Sequence, residues 1–304
     1  MSTPRRLSQV CAAAREIPFD DQSRYVFFSD VHRGDDSSAD EFAQNQVLLV
    51  HALDHYYNAG FTYAEIGDGD ELLENKEIEE IKRFNAPIFR EMRKFHQAGR
   101  LHFLFGNHNI LWRETSNIER HLQTLFNEAT EELEPLFEGI QIPEALLLRY
   151  TPTGLRLLVV HGHQGDFWNE NLWWLGSFAL RRIWRPLQLV GVSDPTRPSK
   201  NKRKQGIIER AIVKWIRQTG IMVICGHTHR AMFPRTGEAA YFNTGCCVHP
   251  GRITAIEIDE GEIQLVQWGI AARADGSLYA GRETIAGPRK VSSFSGTPVE
   301  SPRS

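Results

Sequence analysis

The sequence predicts an α/β protein, and three observations support that fold class. Short apolar runs rich in β-branched and aromatic residues alternate with helical patterns along the 304-residue chain. Apolar residues make up 41% of the chain and charged residues 24%, which is typical of a globular protein with a sizeable core. No uncharged apolar run approaches the roughly 18 residues that cross a bilayer, and no secretory signal pattern is found. We therefore expect a cytoplasmic α/β protein.

The predicted elements follow in a regular order. Ser38 and Glu41 have capping-box spacing and open a helix that should run to Gly60. Further helices are predicted over about 77–98 and 207–218. Buried strands are predicted at 25–28, 61–66, 101–105, 155–160 and 221–225, and short strands between glycine turns at 241–242, 253–258 and 263–268.

Composition shifts along the chain predict the domain boundaries. Residues 1–24 are expected to form an N-terminal extension and residues 25–284 the main domain, with a helical insertion at about 167–206. Residues 285–304 are rich in Ser, Pro and Gly, so we expect a disordered tail there. The four cysteines form no disulfide framework and are expected to be reduced.

Five of the predicted strands end in loops that carry metal-ligand residue types. Ligands bind beyond the carboxyl ends of strands in open α/β sheets, so these loops are expected to converge on one site. Imidazole, carboxylate and amide ligands suit Mn, Fe, Zn or Co. Buried packing residues of these types would each need a partner, which a pair of metal ions supplies at once. In chain order the residues are Asp30 and His32, Asp68, Asn107 and His108, His161, and His227 and His229.

The order of these motifs resembles that of the calcineurin-like metallophosphoesterases. Asp-x-His, Gly-Asp, Gly-Asn-His, a strand-end His and Gly-His-x-His occur in that family's order between residues 30 and 229, and Asn243-Thr244-Gly245 resembles the turn that follows. The resemblance covers residues 25–268. It implies a four-layer α/β/β/α sandwich with a two-metal site at its edge.

The same resemblance implies the roles of the site residues. It implies two divalent metal ions (Mn, Fe, Zn or Co, with manganese preferred) and hydrolysis of a phosphate ester or pyrophosphate by a metal-bridging hydroxide. Asp68 and His108 would be the catalytic residues, with His108 beside the leaving group. Asp30, His32 and His229 would hold the first metal, Asn107, His161 and His227 the second, and Asp68 would bridge the two.

Two positions depart from the family pattern. Asn109 stands where the family usually has Asp or Glu, and an amide can orient the His108 imidazole but cannot stabilise its charged form. His163 stands where some members have Asp; it is expected to support a ligand by hydrogen bonding, with direct contact to metal or substrate as the alternative.

Other polar residues near the motifs have simpler interpretations. Asp70, Glu71 and Glu74 are expected to form a solvated helix start, because carboxylates favour helix N-termini. Asn45 is expected on a solvated helix face. Arg33 fits either a phosphate contact or a surface charge.

The insertion has an unusual composition that leaves three interpretations open. Residues 176–206 contain eight basic side chains and one acidic side chain, a charge of +7 that leaves −10 for the rest of the chain, because the total is −3. The segment could pack on the sandwich with its basic side chains in water, form a lid over the metals, or dock on a membrane surface. Four of the seven tryptophans lie in the insertion: Trp168, Trp173, Trp174 and Trp184.

The layout of this insertion is similar to that of the UDP-2,3-diacylglucosamine pyrophosphatases, which act at the membrane surface. The leading prediction is a dinuclear metal-dependent phosphoesterase in the cytoplasm that acts on a phosphorylated small molecule or a lipid-linked substrate. Peripheral membrane contact through the insertion stays one of the open interpretations. The alternatives are a pyrophosphatase of the diacylglucosamine type and a non-catalytic metal-binding scaffold. A nuclease is not favoured, because no nucleic-acid motif accompanies the basic segment.

Overall fold

A computed structural model describes residues 2–75, 77–165 and 202–294. The predicted insertion therefore lies outside the described residues, except for its last residues, 202–206. Among the described residues, no helix is both long enough and apolar enough to cross a membrane.

The described chain contains helices of ordinary length and thirteen strands. The helices are α1 (Thr3–Ala13), α2 (Gln46–Asn58), α3 (Ile78–Phe84), α4 (Ala86–Gln97), α5 (Thr115–His121) and α6 (Lys202–Thr219). The first seven strands are β1 (Arg15–Phe19), β2 (Tyr25–Phe28), β3 (Thr62–Ile66), β4 (Leu101–Leu104), β5 (Thr124–Asn127), β6 (Glu132–Pro135) and β7 (Ala145–Tyr150). The remaining strands are β8 (Arg156–Val160), β9 (Met222–Cys225), β10 (Tyr241–Asn243), β11 (Arg252–Asp259), β12 (Glu262–Ala272) and β13 (Leu278–Lys290).

The strands form two main sheets and one small ribbon. The six-stranded sheet has the order β13-β12-β11-β2-β3-β4, and the five-stranded sheet has the order β1-β7-β8-β9-β10. Strands β2, β3 and β4 are parallel, as are β8, β9 and β10. The carboxyl ends of each parallel set therefore lie at one edge of their sheet, which is where the ligand-bearing loops begin.

The hydrophobic core has three parts, and together they define four layers. Phe27 and Ile66 of the six-stranded sheet belong to the same cluster as Val159 and Ile224 of the five-stranded sheet, so the two sheets pack face to face. Helices α2 and α4 cover the outer face of the six-stranded sheet, while α1 and α6 cover that of the five-stranded sheet. The predicted α/β/β/α sandwich is confirmed.

The two ends of the chain differ from the prediction. Residues 1–24 are not an extension, because α1 buries Leu7 and Val10 and β1 pairs with β7 as the first strand of a sheet. The main domain does not end at 284 either, because β13 runs to Lys290 and Val291 is fully buried behind it. The β13 side chains are mostly exposed, so the backbone pairing with β12 holds this strand without an apolar pattern. Residues 295–304 lie outside the described residues.

The first predicted helix begins later than its capping signal indicated. The Asp40 carboxylate accepts hydrogen bonds from the backbone N–H groups of Phe42 and Ala43, at 2.9 and 3.2 Å, and a short 3₁₀ turn follows. Helix α2 then begins at Gln46, not near Ser38. A local side-chain bond therefore directs the chain into a turn before the helix starts.

Candidate metal centre

The structure brings the predicted site residues together at one edge of the sandwich. Asp30 and His32 follow β2, Asp68 follows β3, and Asn107 and His108 follow β4, all in the six-stranded sheet. His161 follows β8, and His227 and His229 follow β9, in the five-stranded sheet. Each sheet thus contributes side chains to the same centre.

The first group contains Asp30, His32 and His229. The His229 Nε2 atom lies 3.1 Å from Asp30 Oδ1 and 3.3 Å from His32 Nε2, and His32 Nε2 lies 3.9 Å from the same carboxylate oxygen. Ligand atoms held about 2.0–2.1 Å from one ion stand about 3.0–3.4 Å apart. The spacing of this group therefore fits one divalent ion.

The second group contains Asp68, His161 and His227, whose ligand atoms lie within 4.8 Å of one another. His161 Nε2 is 3.0 Å from Asp68 Oδ2, and the other oxygen of Asp68 accepts a hydrogen bond of 2.8 Å from the backbone N–H of His108. Asn107 is buried in the same loop as His108. This arrangement places the two oxygens of Asp68 between the loop after β4 and the histidine ligands.

Four of the predicted ligand atoms are buried without a hydrogen bond of good geometry: Asp30 Oδ1, Asn107 Oδ1, His161 Nε2 and His227 Nε2. Asp30 Oδ1 and His161 Nε2 lie 3.1 and 3.0 Å from other ligand atoms of the centre, whereas Asn107 Oδ1 and His227 Nε2 have no partner among the described residues. Leaving a buried polar atom unpaired costs about 1–3 kcal/mol, so this arrangement is unfavourable unless the centre binds something. The exclusively nitrogen and oxygen donor set fits Mn, Fe, Zn or Co.

The backbone at this site is unusual. Asp30, His32, Asp68, His227 and His229 all have positive φ angles, between 50° and 68°. Residues other than glycine seldom adopt this left-handed conformation, and such strain is concentrated at functional sites. Five of the seven predicted metal ligands therefore sit on strained loop backbone.

Hydrogen bonds between neighbouring loops hold this backbone in place. The N–H groups of Asp30 and His32 donate to the carbonyl oxygens of Gly67 and Asp68, at 3.1 and 2.9 Å. The N–H of His227 donates to Asp30 Oδ2 at 2.8 Å, which links the two sheets. A side chain at Gly226 would collide with Ser29 and Asp30, so only glycine permits this approach.

Hydrogen bonds behind two histidines select which ring nitrogen faces the site. His161 donates from Nδ1 to the carbonyl oxygen of Ile66 at 3.1 Å, and His32 donates from Nδ1 to Glu71 Oε2 at 2.8 Å. In both rings the Nε2 lone pair then faces the centre and can bind an ion. Metal-bound histidines in proteins are commonly held in this tautomer by such a hydrogen bond on the other ring nitrogen.

The electrostatics put one histidine and both carboxylates of the centre in forms that bind metal. Burial, together with the neighbouring His161, lowers the pKa of His227 to about 3, so this ring is neutral at physiological pH. Although burial opposes ionisation, His161 and His108 hold the pKa of Asp68 well below its usual range, and His229 lowers the pKa of Asp30. Both carboxylates are therefore charged. Although burial opposes the charged form, Asp68 raises the pKa of His161 and Asp30 raises the pKa of His229, so a metal ion would have to displace these protons.

Glu71 is a site residue that the sequence reasoning missed. It was expected in a solvated helix start, but it is buried, and its carboxylate lies 2.7 Å from His108 Nδ1 and 2.8 Å from His32 Nδ1. Its position three residues after Asp68, in the same loop, is the signal that could have found it. Glu71 supplies His108 with the acidic partner that Asn109 does not provide.

Asn109 has a different task from the one its position suggested. Its side-chain oxygen accepts hydrogen bonds from the backbone N–H groups of Gly106, at 2.6 Å, and Asp68, at 3.3 Å. Asn109 therefore joins the loops that carry Asn107 and Asp68, and its side-chain nitrogen has no hydrogen-bond partner among the described residues, so it does not orient the His108 ring.

Arg33 and Asp70 are also buried and form part of the scaffold. Arg33 donates to both carboxylate oxygens of Glu65, at 2.6 Å each, and to Asp70 at 2.8 Å. Asp70 also accepts a 2.8 Å hydrogen bond from the Trp112 indole. The predictions of a phosphate contact or surface charge for Arg33, and of a solvated site for Asp70, are therefore wrong.

Asn45 is likewise buried, not solvated as expected. Its side-chain nitrogen donates to the carbonyl oxygens of Cys247 and His249, at 2.6 and 2.7 Å, and its oxygen accepts from Gly251 N–H at 3.0 Å. Since the N–H of Cys247 bonds to the carbonyl oxygen of Asp30, Asn45 braces the loop behind the first group.

His163 lies beside the centre but outside both ligand groups. Its ring centroid is 5.6 Å from that of His161, its Nδ1 atom is buried without a partner, and burial lowers its pKa well below the usual range. The side chain is neutral, and whether it contacts metal or substrate stays a prediction.

Comparisons with known proteins give only a distant likeness. No protein-family model matches the chain, and no curated protein matches it. A conserved uncharacterized protein (predicted phosphoesterase) from Streptococcus pneumoniae is 12% identical, with a TM-score of 0.35 over 86% of this chain and 97% of that one. A mutant cold-active protein tyrosine phosphatase is 11% identical, with a TM-score of 0.41 over 90% of this chain and 83% of that one. Chaetomium thermophilum Vps29 is 9% identical, with a TM-score of 0.38 over 87% of this chain and 96% of that one. Since all three TM-scores lie below 0.5, the site is interpreted from its own residues.

Proposed function

We propose that the protein is a metal-dependent phosphoesterase that hydrolyses a phosphate ester or a pyrophosphate with two divalent ions at this centre. The observation that carries the proposal is the pair of adjacent ligand groups, in which the buried atoms Asn107 Oδ1 and His227 Nε2 have no hydrogen-bond partner among the described residues. In this assignment Asp30, His32 and His229 hold one ion, Asn107, His161 and His227 hold the other, and Asp68 lies between them.

Two divalent ions held this way would supply positive charge for phosphoryl oxygens and a nucleophile at neutral pH. The residues around them have separate tasks. The shared carboxylate of Asp68 is fixed by the N–H of His108, so it keeps one orientation. The strained loops hold the ligands ready before an ion arrives, which limits reorganisation on binding.

His108 is the residue proposed to assist the leaving group. Glu71 accepts a hydrogen bond from Nδ1–H and fixes the orientation of the ring, and a second proton on Nε2 makes the imidazole charged. A charged imidazole paired with a carboxylate can stabilise negative charge on a departing oxygen and then donate its proton to it. The Glu71–His108 pair supports acid catalysis despite the amide at Asn109.

The substrate class within this function remains a proposal. A lipid-linked pyrophosphate and membrane contact both depend on the basic insertion, most of which lies outside the described residues. We propose manganese as the ion, because the carboxylate and amide oxygens of the site suit it, while the imidazole nitrogens suit Fe and Zn equally well.

The test combines metal content with hydrolysis. Full-length protein loaded with Mn²⁺ should contain about two equivalents of metal by elemental analysis and hydrolyse p-nitrophenyl phosphate, its bis-ester or a UDP-sugar pyrophosphate. Asp68→Ala should lower the rate of hydrolysis by at least about a thousandfold, because it removes the carboxylate between the ions.

Two results would count against this function. Metal near two equivalents without hydrolysis of any substrate in the panel would favour the non-catalytic scaffold. Activity that is equal in wild type and Asp68→Ala would place the chemistry elsewhere.

A further inference from the structure

We propose that a cavity at the opposite end of the sandwich from the metal centre binds a small organic anion with an apolar or aromatic body. The cavity has a volume of about 430 Å³, within the range of small-molecule sites. It lies at Gly220, directly after the end of α6, and where residues 236–240 lead into β10. The metal-binding loops follow the other ends of β9 and β10, so the two sites are separate.

Arg289 is the first feature that points to an anion. Its side chain is half-buried in the cavity wall, with the guanidinium carbon 4.2 Å from the ring centroid of Phe294 and 5.6 Å from that of Phe233. One N–H group donates to the carbonyl oxygen of Pro234 at 2.9 Å. In the described chain no carboxylate forms an ion pair with this guanidinium, although partly buried charges are normally paired.

Arg217 adds a second positive charge to the same cavity. It is exposed in the last turn of α6 and also has no ion pair among the described residues. Among the described residues of the lining, Glu238 is the one acidic side chain, and its carboxylate accepts a hydrogen bond from the backbone N–H of Arg235. The described lining therefore carries two guanidinium groups and one carboxylate. This net positive charge favours an anionic ligand.

The rest of the lining indicates an apolar ligand body. Ile216, Ala240 and Phe294 form part of the wall, and the Arg289 guanidinium is held in place by the aromatic rings. A preorganised guanidinium binds carboxylate, sulfonate or phosphate oxygens with little loss of side-chain entropy. A ligand that carries one such group on a ring or short chain matches both parts of the cavity.

The experiment uses 8-anilinonaphthalene-1-sulfonate, which has an aromatic body and one negative charge, on the full-length chain. We expect one saturable binding site in a fluorescence titration. Arg217→Glu and Arg289→Gln should each weaken binding by about tenfold or more, the loss expected for a charge-assisted hydrogen bond. Thr236→Trp, at an exposed position of the lining, should weaken it by filling the mouth.

Two controls distinguish binding of the probe in this cavity from its electrostatic attraction to the protein surface in general. Arg210→Glu changes an exposed arginine two turns earlier in α6 that does not line the cavity, and it should leave the Kd within about twofold. N-phenyl-1-naphthylamine, the uncharged counterpart of the probe, should bind at least tenfold more weakly, since it lacks the anion.

Equal weakening by Arg210→Glu and Arg217→Glu would overturn the proposal, as would equal binding of the neutral probe. Binding that neither Arg217→Glu nor Thr236→Trp changes would also overturn it. Both positions are exposed, so these variants remain informative even if Arg289→Gln fails to fold.

Discussion

Glu71 shows how one buried carboxylate can serve two histidines with different tasks. It holds the Nδ1 atoms of His32, a proposed metal ligand, and of His108, the proposed acid. Although burial opposes ionisation, His108 and His32 lower the pKa of Glu71, so it stays charged at neutral pH. The same carboxylate therefore couples the orientation of a ligand to that of the acid.

Glu71→Gln should lower the rate of hydrolysis by roughly 10- to 100-fold while the protein stays folded, because outer partners of metal-site histidines contribute on this scale. The loss should be larger for a phenyl or alkyl phosphate than for p-nitrophenyl phosphate, since a poor leaving group needs its proton more. Steady-state rates on both substrates measure this difference.

Glu77→Gln, at an exposed position six residues later, is the matched control and should keep the wild-type rate. An equal loss on good and poor leaving groups would mean that Glu71 acts through His32 and the metal alone.

The residues that were mispredicted share one physical property. Arg33, Asp70, Glu71 and Asn45 are all polar, and all are buried with partners distant in the sequence. A polar side chain can be buried only where the fold supplies its hydrogen bonds, and a single sequence does not show which residues will meet. The convergence of the proposed metal ligands could be predicted because each lies in a loop that follows a recognisable buried strand.

At the scale of elements, Asn45 connects the start of α2 to the loop behind the first ligand group. Asn45→Ala would leave the carbonyl oxygens of Cys247 and His249 without their buried donor and Gly251 N–H without its acceptor. We expect a loss of roughly 2–4 kcal/mol in the free energy of unfolding, measured by urea denaturation.

Asn58→Ala tests whether any asparagine change in α2 has this effect. Asn58 is exposed at the end of the same helix, and in the described part of the chain its side chain donates to Asp54 alone. The free energy of unfolding should therefore change by less than about 0.5 kcal/mol. If Asn45→Ala and Asn58→Ala lowered the free energy of unfolding by similar amounts, the contacts of Asn45 with the loop would not be important for stability.

Two strands, β13 and β1, were not predicted because backbone pairing with other strands holds them, and such pairing leaves no pattern in the sequence. Strand β13 exposes most of its side chains and is held by its ladder with β12, so neither an apolar run nor alternation marks it in the sequence. Strand β1 is similar, with mostly exposed side chains and a parallel partner, β7, that begins 130 residues later. The central strands were predictable because they are buried on both faces.

At the scale of the whole molecule, the first and second ligand groups each contain residues from both sheets, whereas a third cluster, His32, Glu71 and His108, comes from loops of the six-stranded sheet alone. Asp30 and His32 extend from the six-stranded sheet and His229 from the five-stranded sheet, and the second group is divided in the same way. Bound ions would therefore join the two halves of the sandwich.

Removal of metal should lower the melting temperature of the entire domain in one transition. A ligand present at 100 times its Kd adds about 2.7 kcal/mol, which corresponds to roughly 5–10 °C for a domain of this size. Scanning calorimetry with and without EDTA measures the shift, and Asp68→Ala, which lacks the central carboxylate, should show little change on chelation. A chelation effect as large in the variant as in wild type would contradict this account.

The left-handed backbone of the ligand loops limits whether the site could be transferred to another protein. Each such residue costs on the order of 1 kcal/mol, so the five together approach the net stability of an ordinary domain. Loops cut from this chain, or grafted onto a smaller protein, would relax into common conformations and lose the arrangement of their side chains. The centre is therefore not a portable motif, and only a scaffold with a large surplus of buried contacts can carry it.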